Sequence, residues 1–125
     1  MQNHKIIGLC LSVALVAAGC QSREITARVF DVERVIDGDT FRVEYDGEPT
    51  SVRIAGIDAP ELRDPGGLES KAELERLIGG RKVRLEFPGK RKRDNFGRLL
   101  ANIYIGDRDI GAETVRDGFA GPYRK

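Results

Sequence analysis

Histidine, cysteine, methionine and tryptophan are nearly missing from this chain of 125 residues. It has one His, two Cys, one Met and no Trp. The single His is His4, and both cysteines, Cys10 and Cys20, also lie within the first twenty residues. If a leader that ends before Cys20 is removed, the rest of the chain cannot use a histidine base, a Ser–His–Asp triad or a histidine metal ligand. Any chemistry then depends on carboxylates, Arg, Lys, Tyr, hydroxyl groups or a hard metal ion.

A hydrophobic run long enough to cross a membrane is also missing. The longest candidate, Ile6–Ala18, has 13 apolar or small residues, which is too few to span a bilayer comfortably. A short run of this kind, after a weakly basic start and before small residues, is typical of a secretory signal peptide. The segment Leu15–Cys20 resembles a bacterial lipoprotein cleavage box, in which the cysteine is acylated and becomes the new N-terminus.

That resemblance divides the chain into three parts. We expect a lipoprotein signal peptide at residues 1–19, a lipidated tether at 20–26 and a folded domain at 27–125. Cys20 is the expected lipidation site and membrane anchor, and it has no partner for an intramolecular disulfide. The expected location is the bacterial cell envelope, outside the cytoplasm, where the short tether keeps the domain close to the membrane surface.

Hydrophobic alternation and turn residues predict a mainly β domain with some helix. The predicted strands are Ala27–Ile36, Thr40–Tyr45, Thr50–Ile57, Lys82–Phe87 and Leu99–Ile105, and the predicted helices are Leu68–Ile78 and Ile110–Arg116. Turns with Asp-Gly at 37–38 and 46–47 join the first three strands into an antiparallel meander. Five strands, with a helix after strand 3 and a short C-terminal helix, fit a closed Greek-key β-barrel of the oligonucleotide/oligosaccharide-binding (OB) type.

Charge is unevenly distributed, although the formal net charge is only +1. Residues 31–64 contain ten acids and four arginines, whereas residues 81–98 contain eight basic residues and two acids. An acidic cluster attracts a cation, and a basic stretch attracts a polyanion. A phosphodiester held beside a metal ion is a substrate that uses both.

Three short segments carry the residues that could do this chemistry. Asp39 follows the first Asp-Gly turn, and Asp58 and Glu61 stand where the third predicted strand runs into a proline-bearing loop. These carboxylates at strand ends can converge on one ion, or they can be ordinary solvated turn acids. Arg53 lies in the strand before Asp58, and a basic loop with Phe96 precedes Arg98.

Taken together, these segments closely resemble the thermonuclease, or staphylococcal-nuclease-like, family. The matching stretches are VIDGDTFRV at 35–43, VRIAGIDAPE at 52–61, DNFGRLLA at 94–101 and DIGAETVRDG at 109–118. They occur in the family's order and cover nearly all of the chain after the leader. The resemblance implies the OB-type barrel and a calcium-dependent nuclease that cuts DNA and RNA and leaves 3′-phosphate ends.

The same resemblance implies the roles of individual residues. The implied calcium ligands are Asp39, Asp58 and the backbone carbonyl of Ala59, with Asp37 as a nearby acid. The implied catalytic residues are Arg53, Glu61 and Arg98. Two guanidinium groups and Ca²⁺ suit the negative charge that develops on the phosphate oxygens, and without histidine Glu61 is the best candidate to activate or position the attacking water.

The basic loop is predicted to bind the nucleic-acid substrate. Lys90, Arg91, Lys92 and Arg93 are expected to contact phosphates without sequence choice, and Phe96 offers a face for base stacking. We expect a monomer. The alternatives are a non-catalytic OB-fold nucleic-acid-binding lipoprotein and an envelope lipoprotein with a structural or adhesive role.

Overall fold

A computed structural model describes residues 28–124. The predicted leader, the lipidation site Cys20 and the tether at 20–26 lie outside these residues, and their assignment stays a prediction. Within 28–124 no helix is both long enough and apolar enough to cross a membrane.

The described residues form nine strands and two helices. The strands are β1 (Val29–Asp31), β2 (Arg34–Asp37), β3 (Thr40–Tyr45), β4 (Glu48–Ile54), β5 (Ile57–Asp58), β6 (Lys82–Glu86), β7 (Leu99–Ile105), β8 (Arg108–Asp109) and β9 (Gly121–Pro122). The helices are α1 (Gly67–Ile78) and α2 (Ile110–Arg116). The predicted mainly β class, the helix after the meander and the short second helix are therefore confirmed.

Two of the predicted strands are each divided in the structure. The stretch predicted as one strand from Ala27 forms β1 and β2, because β1 pairs with β6 while β2 pairs with β3. The stretch predicted as Thr50–Ile57 begins earlier, at Glu48, and is interrupted after Ile54. The interruption contains Gly56, whose φ of 79° lies in the left-handed region that glycine adopts without strain. The count of five strands was therefore wrong.

The main sheet is mixed, with the order β1-β6-β7-β4-β3-β2 and with β8 added to β7. β2, β3 and β4 are antiparallel neighbours, as the meander predicts. β7 pairs in parallel with β4 at its beginning and antiparallel with β6 further along. Among residues 28–124 no ladder joins the two ends of this order, so closure of the barrel stays a prediction.

The hydrophobic core lies on the inner face of the sheet. β3, β4 and β7 each alternate buried and more exposed residues, so one side of every strand faces inward. Helix α1 covers this face through Leu74, Leu77 and Ile78, and α2 contributes Ile110. The outer face and the strand ends carry most of the charged side chains, and the functional candidates are among them.

Candidate active site

The turn between β2 and β3 holds Asp39 in a fixed position. Asp37 and Thr40 are paired across the hairpin, so Gly38 and Asp39 form its two-residue turn. The backbone N–H of Asp39 donates to Oδ1 of Asp37 at 3.0 Å. A Cβ at Gly38 would lie 1.9 Å from Oγ of Ser70, so helix α1 packs too closely behind the turn for any larger residue.

The carboxylate of Asp39 is buried, with 6% of the residue exposed, and each of its oxygens accepts a hydrogen bond. Oδ1 accepts from the hydroxyl of Thr40 at 2.9 Å, and Oδ2 accepts from the backbone N–H of Ala59 at 2.8 Å. Oδ2 also lies 3.3 Å from Nη2 of Arg53. These contacts connect the turn to β4 and to the segment after β5.

Arg53 connects the two carboxylates that the sequence suggested as metal ligands. Its Nη2 lies 3.3 Å from Oδ2 of Asp39 and 3.3 Å from Oδ1 of Asp58. Its Nη1 donates to the backbone carbonyls of Ile54 at 2.6 Å and Ile57 at 2.8 Å. The side chain is only 12% exposed. Two charged and two backbone acceptors therefore hold the guanidinium group in one orientation.

Asp37 and Asp58 differ in their surroundings. Burial raises the pKa of Asp37, and its neighbour Asp39 adds to that shift, whereas hydrogen bonding from the N–H of Asp39 opposes it. The side chain of Asp58 is 65% exposed and reaches solvent. Asp58 thus presents an accessible charge beside the buried carboxylate of Asp39.

The second arginine, Arg98, is held by an acid four residues before it. Its Nε donates to Oδ2 of Asp94 at 2.7 Å, and its backbone N–H donates to Oδ1 at 2.9 Å. The N–H of Phe96 donates to the same Oδ1 at 2.9 Å. Burial raises the pKa of Asp94, but the N–H groups of Arg98 and Phe96, together with the guanidinium group, outweigh it and lower the pKa overall.

Arg53 and Arg98 face one groove, which we call the cleft. It has a volume of about 620 Å³, and its walls include Leu100, Phe96 and Tyr123 as well as the two arginines. The structure thus places two arginines, the apolar side chain of Leu100 and two aromatic rings around one groove. A phosphate between the arginines and a base against the apolar wall fit such a groove.

Glu61 is not brought into contact with the two arginines. Its side chain is 69% exposed, and its nearest cationic partner is Nη2 of Arg63 at 3.7 Å. It follows Ala59 and Pro60 on the loop after β5, on the Asp58 side of the site. That Glu61 activates or positions the attacking water stays a prediction.

The donor set is compatible with a hard cation. Within 28–124 no group of three His, Cys, Asp or Glu side chains forms a ready metal centre. Asp39 and Asp58 nevertheless converge on a single positive group, Nη2 of Arg53. Oxygen donors are what Ca²⁺ and Mg²⁺ bind. The backbone N–H of Ala59 is used by Asp39, which leaves its carbonyl, the predicted ligand atom, unaffected by that contact.

The predicted nucleic-acid-binding loop is exposed throughout. Lys90, Arg91, Lys92 and Arg93 are all exposed, and Phe96 is 83% exposed. Nζ of Lys92 lies 5.3 Å from the ring centre of Phe87, and Arg93 donates to the carbonyl of Gly97 at 2.9 Å. The guanidinium carbon of Arg98 lies 5.2 Å from the ring centre of Phe96.

Sequence reasoning gave no role to three residues that the structure places at the site. Asp94 orients Arg98, Thr40 donates to Asp39, and Tyr123 lines the cleft. The spacing of Asp94 and Arg98 was a usable signal, because a carboxylate and an arginine four residues apart can meet across a tight turn. Tyr123 had no local signal, since it joins the cleft when β9 pairs with β5.

Comparison with known proteins shows the family of this chain. Residues 51–125 match the family model described as staphylococcal nuclease homologue. The Haemophilus influenzae protein named uncharacterized endonuclease is 35% identical over 127 aligned residues, which cover all of this chain and 68% of that protein. The chain belongs to the staphylococcal nuclease homologue family, as the sequence motifs predicted.

Two further relatives are similar over most of this chain but are longer. Endonuclease YncB of Bacillus subtilis is 33% identical over 71% of the chain and 45% of its own length. A thermonuclease of Staphylococcus hyicus is 34% identical over 74% of the chain and 58% of its own length. The chain thus spans about half the length of these curated relatives.

Proposed function

We propose that this protein is a calcium-dependent nuclease that hydrolyses phosphodiester bonds of DNA and RNA and leaves 3′-phosphate ends. The observation that carries the proposal is the placement of Arg53: one guanidinium group bridges Asp39 and Asp58 and also faces the cleft shared with Arg98. The relatives named as endonucleases and thermonucleases support the same chemistry.

In this proposal the two arginines bind the scissile phosphate. Phosphodiester hydrolysis places additional negative charge on the phosphate oxygens in the transition state, and a preorganised guanidinium fork stabilises that charge. Arg53 is preorganised by two carbonyl groups and Arg98 by Asp94. Their donors therefore need little rearrangement when the substrate binds.

The carboxylates would bind the metal ion and act on the attacking water. Asp39, Asp58 and the carbonyl of Ala59 would hold Ca²⁺, which supplies positive charge next to the phosphate oxygens. Glu61, exposed on the adjacent loop, would accept a proton from the attacking water or position that water. Two carboxylates and one carbonyl are few ligands for an ion that takes 6–8 oxygens, so we expect weak binding, about 10⁻⁴–10⁻³ M, before a substrate phosphate joins.

A gel assay of the purified protein tests the activity. Linear and circular DNA, and RNA, are incubated with Ca²⁺ or with a chelator, and the ends are examined by polymerase extension before and after phosphatase treatment. We expect Ca²⁺-dependent cleavage and ends that are extended only after phosphatase. Absence of cleavage by folded protein, or cleavage in chelator, contradicts the proposal.

One observation favours a second candidate, a non-catalytic nucleic-acid-binding module. Glu61 is exposed, and its cationic partner is Arg63 rather than an arginine of the cleft. A module of this kind would bind oligonucleotides in the cleft and leave them intact in Ca²⁺. The same gel assay, combined with a binding measurement, separates the two functions.

We also propose that the protein is exported and anchored to the bacterial cell envelope through acylated Cys20. The order of charge, apolar run, small residues and cysteine in residues 1–20 supports this. Metabolic labelling with a fatty acid should mark the wild-type protein and leave the Cys20→Ser variant unlabelled. Equal labelling of both, or full release of wild type into the aqueous phase of a detergent partition, would contradict anchoring.

A further inference from the structure

The outer face of the meander carries two arginines, Arg34 and Arg42, that do not line the cleft. Arg34 on β2 is directly opposite Arg42 on β3, and Arg42 is directly opposite Ser51 on β4. The parallel ladder of β4 with β7 starts one residue later, at Val52 and Leu99, so Ser51 and Arg98 are neighbours at its start. We call Arg34, Arg42, Ser51 and Arg98 the arginine row.

The two outer arginines have no carboxylate partner among the described residues. Neither Arg34 nor Arg42 takes part in an ion pair there, although most arginines of the domain do. Nε of Arg42 is buried without a hydrogen-bond partner. Like charges directly opposite on paired strands are destabilising. An anion that bridges the two guanidinium groups would remove this cost.

A second groove includes the inner half of the row, Ser51 and Arg98. It has a volume of about 420 Å³ and is lined by Ser51, Arg93, Phe96 and Arg98. Phe96 and Arg98 line the cleft as well, so the two grooves meet at this loop. Tyr45, Asp46 and Glu48 line the far end of the second groove, at the β3–β4 hairpin.

The carboxylates at that far end direct an anionic strand away from the hairpin. Asp46 is paired with Arg28 at 2.8 Å, whereas Glu48 has no ion pair among the described residues and gives this end of the groove its negative charge. Arg42 lies on the other side of Ser51, across one strand spacing. The favourable path for a polyanion therefore leads from Arg98 over Ser51 to Arg42 and Arg34.

We propose that this row binds the single-stranded nucleic acid that extends from the cleft, beyond the nucleotides held at the reaction site. Neighbouring strands are about 4.8 Å apart, so the row extends about 14 Å from β7 to β2. This length suits successive phosphates of one extended strand. The inference rests on the proposed function for its substrate class, and it predicts that affinity increases with the length of the strand.

The test compares matched double variants. Arg34→Ser with Arg42→Ser removes the outer half of the row, and Lys71→Ser with Arg81→Ser removes the same charge elsewhere, on α1 and in the turn after it. Fluorescence anisotropy in chelator, at several salt concentrations, measures binding of a short single strand of about 3 nucleotides and one of about 12, within the range an OB-type fold covers.

We expect wild type to bind the longer strand more tightly than the short one, and the row variant to lose most of that gain. With two phosphate contacts removed, the slope of log affinity against log salt should fall by about 1.4. The control pair should change affinity for the longer strand less than about twofold, because it lies off the path. Binding of the short strand should be unchanged in both double variants.

Two outcomes overturn the proposal: unchanged binding of the longer strand by the row variant, or an equal loss in the control pair. If the row variant is unfolded by circular dichroism, Arg34→Glu on its own takes its place, since Arg34 is exposed, and it must weaken binding of the longer strand. Cleavage of the short strand in Ca²⁺ is measured separately. Its absence overturns the proposed nuclease function, while the binding comparison in chelator still decides the row.

Discussion

Arg53 and the cations of the basic loop carry the same charge in two different settings. Arg53 is 12% exposed and has four acceptors, two of them backbone carbonyls. Lys90 and Arg91 are exposed and are part of no ion pair among the described residues. The first setting fixes the direction of a donor before any ligand arrives, whereas the second presents charge that can adapt to a mobile polyanion.

Arg98 combines the two settings. It belongs to the exposed loop, but Asp94 holds its Nε and its backbone N–H. Arg98 can stabilise a developing charge only while Asp94 keeps its guanidinium group in position. The comparison therefore distinguishes cations that act by position from cations that act by attraction, and kcat and KM report on the two separately.

The substitution Arg53→Lys should have the largest effect. Lys keeps the charge but cannot bridge two carboxylates and two carbonyls at once. We expect kcat for DNA to fall by about 10²–10³ and unfolding free energy to fall by about 1–3 kcal/mol, because buried acceptors lose donors. Steady-state kinetics and urea unfolding check both. Arg98→Lys serves as the comparison and should lose less stability; an equal loss would mean that Arg53 is no better anchored.

Gly38→Ala should have the next largest effect, through overpacking of the turn. Its Cβ would lie 1.9 Å from Oγ of Ser70 and 2.8 Å from Cβ of Ala59. We expect a loss of about 1–3 kcal/mol in unfolding free energy, measured by urea denaturation. Adding Ser70→Ala removes the nearest atom and should restore part of the loss. If Gly38→Ala alone is neutral, α1 does not fix the turn.

Asp94→Asn should weaken the anchor of Arg98 and produce a pH-dependent difference. The pKa of Asp94 lies below the ordinary 3.8, so its charged form stabilises the fold above that pH, and the contribution is lost as pH falls through the lowered pKa. Wild type should exceed the variant by about 1 kcal/mol at neutral pH. The difference should shrink as pH falls below about 3.8 and disappear only below the lowered pKa of Asp94. A difference that persists unchanged at low pH assigns the effect to packing instead of charge.

The smallest expected effect on turnover belongs to the loop. Replacing Lys90, Arg91, Lys92 and Arg93 with Ser should raise KM and flatten its dependence on salt, while kcat stays nearly intact, because these side chains contact phosphates by attraction alone. Kinetics at several salt concentrations measure this. A parallel fall in kcat would place one of the four in the chemistry, and Arg93, which donates to Gly97, would be the first to examine singly.

Local patterns predicted most of the helices and hairpins. The turn at Asp46 and Gly47, with φ of 50° and 84°, and the amphipathic helix α1 depend on residues close in sequence. The division of the first strand into β1 and β2 could not be predicted in this way, because it depends on pairing with β6 some fifty residues later. Long-range pairing leaves no mark in a short window of sequence.

The candidate site shows the same difference between what local sequence predicts and what depends on distant contacts. The convergence of Asp39 and Asp58 was predicted, because both stand at the ends of adjacent strands of a meander. That both carboxylates meet at Nη2 of Arg53 could not be predicted, because it depends on the orientation of a side chain in the folded protein. The roles of calcium, of the Ala59 carbonyl and of Glu61 come from the family resemblance, and they stay predictions.

The parallel ladder between β4 and β7 determines when, during folding, the cleft can form. It joins residues 52–54 to residues 99–101, and without it Arg53 and Arg98 have no common groove. Contacts between such distant parts of a chain form late in folding, because a long loop must close first. A nascent chain that ends before Arg98 has the acidic turn but only one of the two arginines that line the cleft. An activity that needs both arginines in one groove can therefore appear only after residues 98–101 have been synthesised.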